Sequence, residues 1–145
     1  MSVSIAQLSL AHYYLQKTLL ANVYQVAKVT PLTPLKKLSA RLNSQLLLKR
    51  EDLQPVHSFK LRGAYNRIVN LNAEQRACGV VCASAGNHAQ GVAFASSLEK
   101  IPCTIVMPKN ASPAKVAATK GYGAKVILEG TNYDESSAKA HEIAK

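Results

Sequence analysis

Beyond Gly79, short β-branched runs alternate with stretches whose apolar positions recur at helical spacing. Val80–Ala83, Thr104–Met107 and Lys125–Leu128 read as strands, and Asn87–Leu98, Pro113–Lys120 and a segment opening near Tyr133 read as helices. End signals support these bounds. Ser112 stands as an N-cap before Pro113, Gly121 lies past the end of that helix, and Asn132 to Glu135 has capping-box spacing. Alternating β and α elements predict an α/β fold, an open parallel sheet with covering helices. Any site then belongs at the carboxyl ends of the strands, where Ser84 to Asn87 fall.

The first half is less regular. Residues from about Ser9 to Val29 read as one helix. Tyr13, Leu20, Tyr24 and Ala27 make one apolar stripe and Leu15, Leu19, Val23 and Val26 an adjoining one. An apolar face this wide calls for a partner surface. Thr30-Pro31-Leu32-Thr33-Pro34 stops the helix, because proline disfavours helical geometry in the residue before it. A short helix over Leu35–Leu42 and a strand at Leu46–Leu48 follow.

Two segments carry candidate chemistry. In the stretch from Lys49 to Asn66, Ser58 is a good N-cap, and Leu61, Ala64, Tyr65, Ile68 and Leu71 recur at helical spacing. Lys60 therefore sits in a first helical turn, held at a defined point. Positive charge from the helix dipole and from Arg62 favours the neutral amine that condenses with an aldehyde. In the second segment, Ser84-Ala85-Gly86 turn a strand into a helix, so backbone N–H groups there form an anion site for a phosphate or an amino-acid carboxylate. Gly86 permits close approach of a ligand, and Asn87 adds an amide at the helix entrance. Alone, each has a plainer reading, a solvated surface lysine and an ordinary helix cap. Together they point to one chemistry.

Composition removes competitors. The chain has 145 residues, 48% of them hydrophobic, enough for one ordinary domain. Its net charge of +10 comes from scattered Lys and Arg with no nucleic-acid motif, so no nucleic-acid partner is expected. No apolar run of about 18 residues exists and the opening carries no early Lys or Arg, so no membrane span or signal peptide is expected; the cytoplasm is the default. Cys78, Cys82 and Cys103 lack C-x-x-C spacing, which argues against a disulfide framework or a zinc site. His88 reads as structural, and adjacent Glu51 and Asp52 are expected to point apart rather than act as a carboxylate pair. No nucleotide-binding glycine pattern is present.

The stretch from Lys49 to Asn66, with Ser84 to Gly91, resembles the pyridoxal-phosphate enzymes of the second fold type, and within them the biosynthetic L-threonine dehydratase (threonine deaminase) family. Leu61-Arg62-Gly63-Ala64 after the lysine favours the dehydratase and serine-racemase side of that group. The resemblance implies that Lys60 is catalytic and binds pyridoxal 5'-phosphate, and that Asn87 contacts the cofactor ring oxygen. It implies that Ser84, Gly86 and Asn87 hold the carboxylate of L-threonine, or of L-serine, with Phe59 beside the lysine or in the core. The implied reaction yields 2-oxobutanoate and ammonia for isoleucine biosynthesis, in a homo-oligomer when the protein is complete.

In that scheme residues 1–57 are N-terminal elements of a large domain, and residues 58–145 are most of a smaller α/β domain. The family binds the cofactor phosphate with a run of glycines, whereas no two of the seven glycines here are adjacent. The expectation is an N-terminal part, incomplete alone and weak in cofactor retention. The alternatives are a serine dehydratase or racemase-type enzyme, and a non-catalytic remnant that docks onto full-length subunits.

Overall fold

The computed structural model describes residues 5–145, so the opening residues behind the leader reading lie outside it in part. Helix α1 (Ile5–Leu19) is followed, after extended Ala21, by a single 3-10 turn at Asn22–Gln25. The helix expected to run to Val29 is therefore two pieces. The second is held by tertiary contacts that a continuous helix would forfeit: the Tyr65 hydroxyl donates to Gln25 Oε1 at 2.8 Å and Ala27 is buried. The stripe on α1 finds no cover among the described residues; Leu10, Tyr13, Tyr14, Leu15 and Leu19 are all exposed.

Strand β1 (Leu32–Pro34) pairs antiparallel with β2 (Leu47–Lys49), with α2 (Lys36–Leu42) between them. The proline-rich segment, expected only to stop a helix, is thus also a strand. A two-stranded ladder tolerates proline, because an N–H facing away from the partner strand is not missed. Asn43, in the left-handed region at φ 46°, closes α2.

Helix α3 (Lys60–Val69) buries Leu61, Ala64, Tyr65 and Ile68, the face its spacing predicts. Helix α4 (Ala73–Cys78) was not legible from periodicity, being under two turns long; a capping box between Asn72 and Gln75 starts it. Then come β3 (Val80–Ala83), α5 (Asn87–Leu98), β4 (Cys103–Met107), α6 (Pro113–Gly121), β5 (Lys125–Leu128) and α7 (Tyr133–Ile143). The sheet has the order β3-β4-β5, all parallel, as alternation predicts. Ile105, Val106 and Met107 of the central strand are fully buried, and α3 and α5 close over the same core.

Cap details differ from expectation. Ser112 makes no side-chain cap bond, and Gly121 ends α6 from inside; the left-handed residue is Gly123, at φ 91°. Asn132 Oδ1 accepts the Glu135 N–H at 3.0 Å, but the Glu135 carboxylate reaches back to the Thr131 N–H rather than to Asn132's. No helix among the described residues is long and apolar enough to cross a membrane.

Candidate active site

Lys60 opens α3, and its N–H donates to Ser58 Oγ at 3.2 Å. Ser58 is buried and acts as the cap the sequence predicts, although the helix is bounded one residue later. His57, in the left-handed region at φ 53°, turns the chain into this helix, with its Nδ1 3.1 Å from the Asp52 carbonyl. The Lys60 side chain is exposed, its Nζ 5.2 Å from the centroid of the Phe59 ring. Phe59 is 59% exposed, so it flanks the lysine and is not a core residue.

On the other side of Lys60 lies α5. A Cβ placed at Gly91 would sit 3.2 Å from the Lys60 carbonyl carbon and oxygen and 3.3 Å from the Leu61 nitrogen. Only a glycine lets the two helices meet this closely. Asn87 stands one helical turn before Gly91 and so shares its face of α5, toward the Lys60 turn. Ser84 and Gly86 precede it, with the Gly86 N–H donating to Ser84 Oγ at 3.3 Å. Lys60 thus stands against α5, the helix that Asn87 opens and that Ser84 and Gly86 lead into from the carboxyl end of β3. His88 follows Asn87: partial burial, then the charge of Lys60, holds its imidazole below the usual value.

Arg62 corrects one expectation. Its guanidinium is committed to Glu51, with Nε to Oε2 at 2.8 Å and Nη2 to Oε1 at 2.9 Å, so it is not a free charge lent to Lys60. The pair is mutual. Arg62 above all, with Thr30 and Gln54, holds the Glu51 carboxyl down at about 2, and Glu51 raises Arg62. Glu51 and Asp52 do point apart, Asp52 taking Arg50 at 2.7 Å. Sequence reasoning missed that Glu51 serves the lysine helix from 11 residues upstream; adjacent carboxylates give no hint of partners that distant.

A cavity of about 1030 Å³ lies along β3 between α3 and α7. His88 lines it, while Lys60, Ser84, Gly86 and Asn87 do not. The candidate site is instead an open surface. At Gly86 a Cβ would meet nothing within 4 Å, and the N-cap of α5 offers no side-chain hydrogen bond to the helix's first N–H groups. That donor set, with an exposed amine and an exposed amide, fits an aldehyde-bearing ring and a carboxylate. The fit does not extend to a glycine-run phosphate cradle, since no two glycines are adjacent. The cysteines are free; burial, then Cys103, pushes the Cys82 thiol up to about 11, which disfavours its thiolate. No cluster of three metal-ligating side chains occurs among the described residues.

Known proteins share this chain's sequence and fold. The chain is 55% identical over 132 residues to the biosynthetic L-threonine dehydratase of Salmonella typhimurium, covering 91% of this chain and 26% of that protein. It is 54% identical over 129 residues to the chloroplastic biosynthetic threonine dehydratase of Arabidopsis thaliana, covering 88% of this chain and 22% of the other. It spans about a quarter of the length of such curated relatives. Among solved structures, the processed threonine deaminase isoform 2 of Solanum lycopersicum superposes with a TM-score of 0.88 at 42% identity, over 99% of this chain and 39% of that one. Maize serine racemase gives 0.81 at 34% identity, over 88% and 39%. The sequence profile described as pyridoxal-phosphate dependent enzyme matches residues 23–145. The profile match, which takes in both the exposed lysine that opens α3 and the Ser84-Ala85-Gly86-Asn87 turn that leads into α5, makes this chain a member of the pyridoxal-phosphate dependent enzyme family.

Proposed function

We propose that this chain is the lysine-bearing part of a threonine ammonia-lyase, which converts L-threonine to 2-oxobutanoate and ammonia in amino-acid biosynthesis. One observation carries the reading: Lys60 is packed by its own backbone against the helix that presents Asn87, at the carboxyl end of a parallel strand. Pyridoxal phosphate, when bound, supplies the electron sink that lets a proton leave Cα of an amino acid. The rest falls to side chains and backbone. Lys60 Nζ would hold the cofactor and would serve as the base for the Cα proton. The Asn87 amide would donate a hydrogen bond to the cofactor. Ser84, Gly86 and the first N–H groups of α5 hold the substrate carboxylate and so orient Cα toward Lys60. The β-hydroxyl leaves as water and one water is consumed in releasing ammonia, so the two cancel and L-threonine yields 2-oxobutanoate plus ammonia.

The exposed apolar residues of α1 support burial against further protein surface, in the same chain or in a second subunit of a homo-oligomer. The superposition on maize serine racemase favours a second reading, the same site acting on L-serine.

The test uses the complete gene product, incubated with pyridoxal phosphate, reduced with borohydride and mapped by peptide mass spectrometry. The label is expected on Lys60, and Lys60→Ala should abolish both label and 2-oxobutanoate release. Label on another lysine, or a fully active Lys60→Ala variant, sinks the reading. Pyruvate from L-serine in place of 2-oxobutanoate from L-threonine selects the second one. Capture of full-length dehydratase subunits without any turnover marks a docking remnant.

A further inference from the structure

Arg62 follows Lys60 by two residues, and its side chain is the hub of a polar cluster with five other residues. The guanidinium lies 5.2 Å from the centroid of the Tyr24 ring, forks onto Glu51, and donates to the Lys28 carbonyl at 3.3 Å. Glu51 Oε1 also accepts the Thr30 hydroxyl at 2.6 Å, and Gln54 Nε2 reaches both Glu51 oxygens at 3.2 and 3.3 Å. Gln54, 1% exposed, closes the circuit on the Lys28 backbone, accepting its N–H and donating to its carbonyl, each at 2.9 Å.

The apolar face of α3 already pins the helix to the core through Leu61, Ala64, Tyr65 and Ile68. Apolar contact is non-directional, however, and leaves the rotation and height of the first turn loosely specified. A bidentate arginine–carboxylate pair sets both direction and length. Here the fork acts one half-turn from Lys60, while Ser58 Oγ takes the Lys60 N–H and Gly91 lets α5 lie close against the same turn. We propose that Arg62 is a positioning residue: the clasp centred on Glu51 fixes where the first turn of α3 stands, and so where the Lys60 amine stands. The proposal rests on the reading of Lys60 as the cofactor lysine.

The experiment uses the complete gene product in four forms: unsubstituted, Arg62→Lys, Glu51→Gln, and Arg76→Lys as a control. Arg76 pairs with Glu99 at 2.8 Å, with side-chain exposures of 33% and 20% against 25% and 16% for Arg62 and Glu51. It is a comparable ion pair that meets α3 at the Tyr65 hydroxyl, more than one helical turn past Lys60. Three quantities are read: the rate of borohydride-trapped pyridoxyl label at Lys60, kcat and KM for L-threonine, and the urea midpoint. Arg62→Lys and Glu51→Gln are expected to slow trapping and lower kcat roughly tenfold, with KM within about twofold, as misplacement of a reacting group does. Arg76→Lys is expected to move the urea midpoint by a similar amount and leave trapping unchanged. Should Glu51→Gln fail to fold, Arg62→Lys, which keeps the charge and loses the fork, carries the test. Trapping at Lys60 that proceeds in folded Arg62→Lys as fast as in Arg76→Lys overturns the clasp alone. Unsubstituted protein that traps nothing at Lys60 overturns the cofactor reading, and the clasp with it.

Discussion

Gly91→Ala separates packing from propensity by sign. In a helix interior, replacing glycine by alanine normally stabilises by about 0.5–1 kcal/mol. At Gly91 the new Cβ would stand 3.2 Å from the Lys60 carbonyl carbon and oxygen and 3.3 Å from the Leu61 nitrogen. Carbon contacts are most favourable at about 3.5–4.0 Å, so α5 and α3 must part by a few tenths of an ångström. The atoms met are backbone, which cannot swing aside as the end of a side chain would. Overpacking of this kind costs about 1–3 kcal/mol. Set against the propensity gain, the net is a destabilisation of about 1 kcal/mol, and Gly91→Val should lose roughly 2–3 kcal/mol, at the upper end of the overpacking range. Gly121→Ala is the internal standard: it too is helical, but its Cβ meets nothing within 4 Å, so it should stabilise. Urea unfolding of the complete gene product reads both. With a slope of about 2 kcal/mol per molar, the Gly91→Ala midpoint should fall by roughly 0.5 M while the Gly121→Ala midpoint rises. Equal stabilisation by the two substitutions refutes the argument, because it would mean that nothing rigid opposes a side chain at Gly91.

Two further outcomes are expected. The Glu51 carboxyl, held at about 2 in the folded protein by Arg62 first, sits below its ordinary 4.5, so its contribution is present above pH 4.5 and is lost as pH falls toward 2. After discounting for partial exposure this is on the order of 2 kcal/mol. Unfolding free energies between pH 6 and 3 should therefore fall less steeply for Glu51→Gln than for the parent; parallel curves would contradict the pairing. Cys78 is exposed whereas burial pushes the Cys82 thiol up to about 11, so iodoacetamide at pH 8 should modify Cys78 well before Cys82. Peptide mapping that finds Cys82 alkylated first would show that β3 opens in solution.

The sequence alone determined the second half of the molecule. β3, α5, β5 and the start of α7 fall where alternation and caps place them, because each is a local choice between two periodicities marked by Gly, Pro, Asn or Ser at its ends. It also determined that Lys60 opens a helix and that Asn87 opens another, since Ser58 and Gly86 act on their immediate neighbours. Tertiary structure decided the rest. The break between α1 and the turn at Asn22–Gln25 is set by Tyr65, 40 residues away. The commitment of Arg62 to Glu51, rather than to Lys60, requires the N-terminal elements to be folded against α3. Above all, the approach of Lys60 to Gly91 depends on two helices from separate segments meeting across the core. Local rules place a residue on an element, but which elements touch, and how closely, is settled by packing between distant parts of the chain, where a single missing Cβ decides the distance.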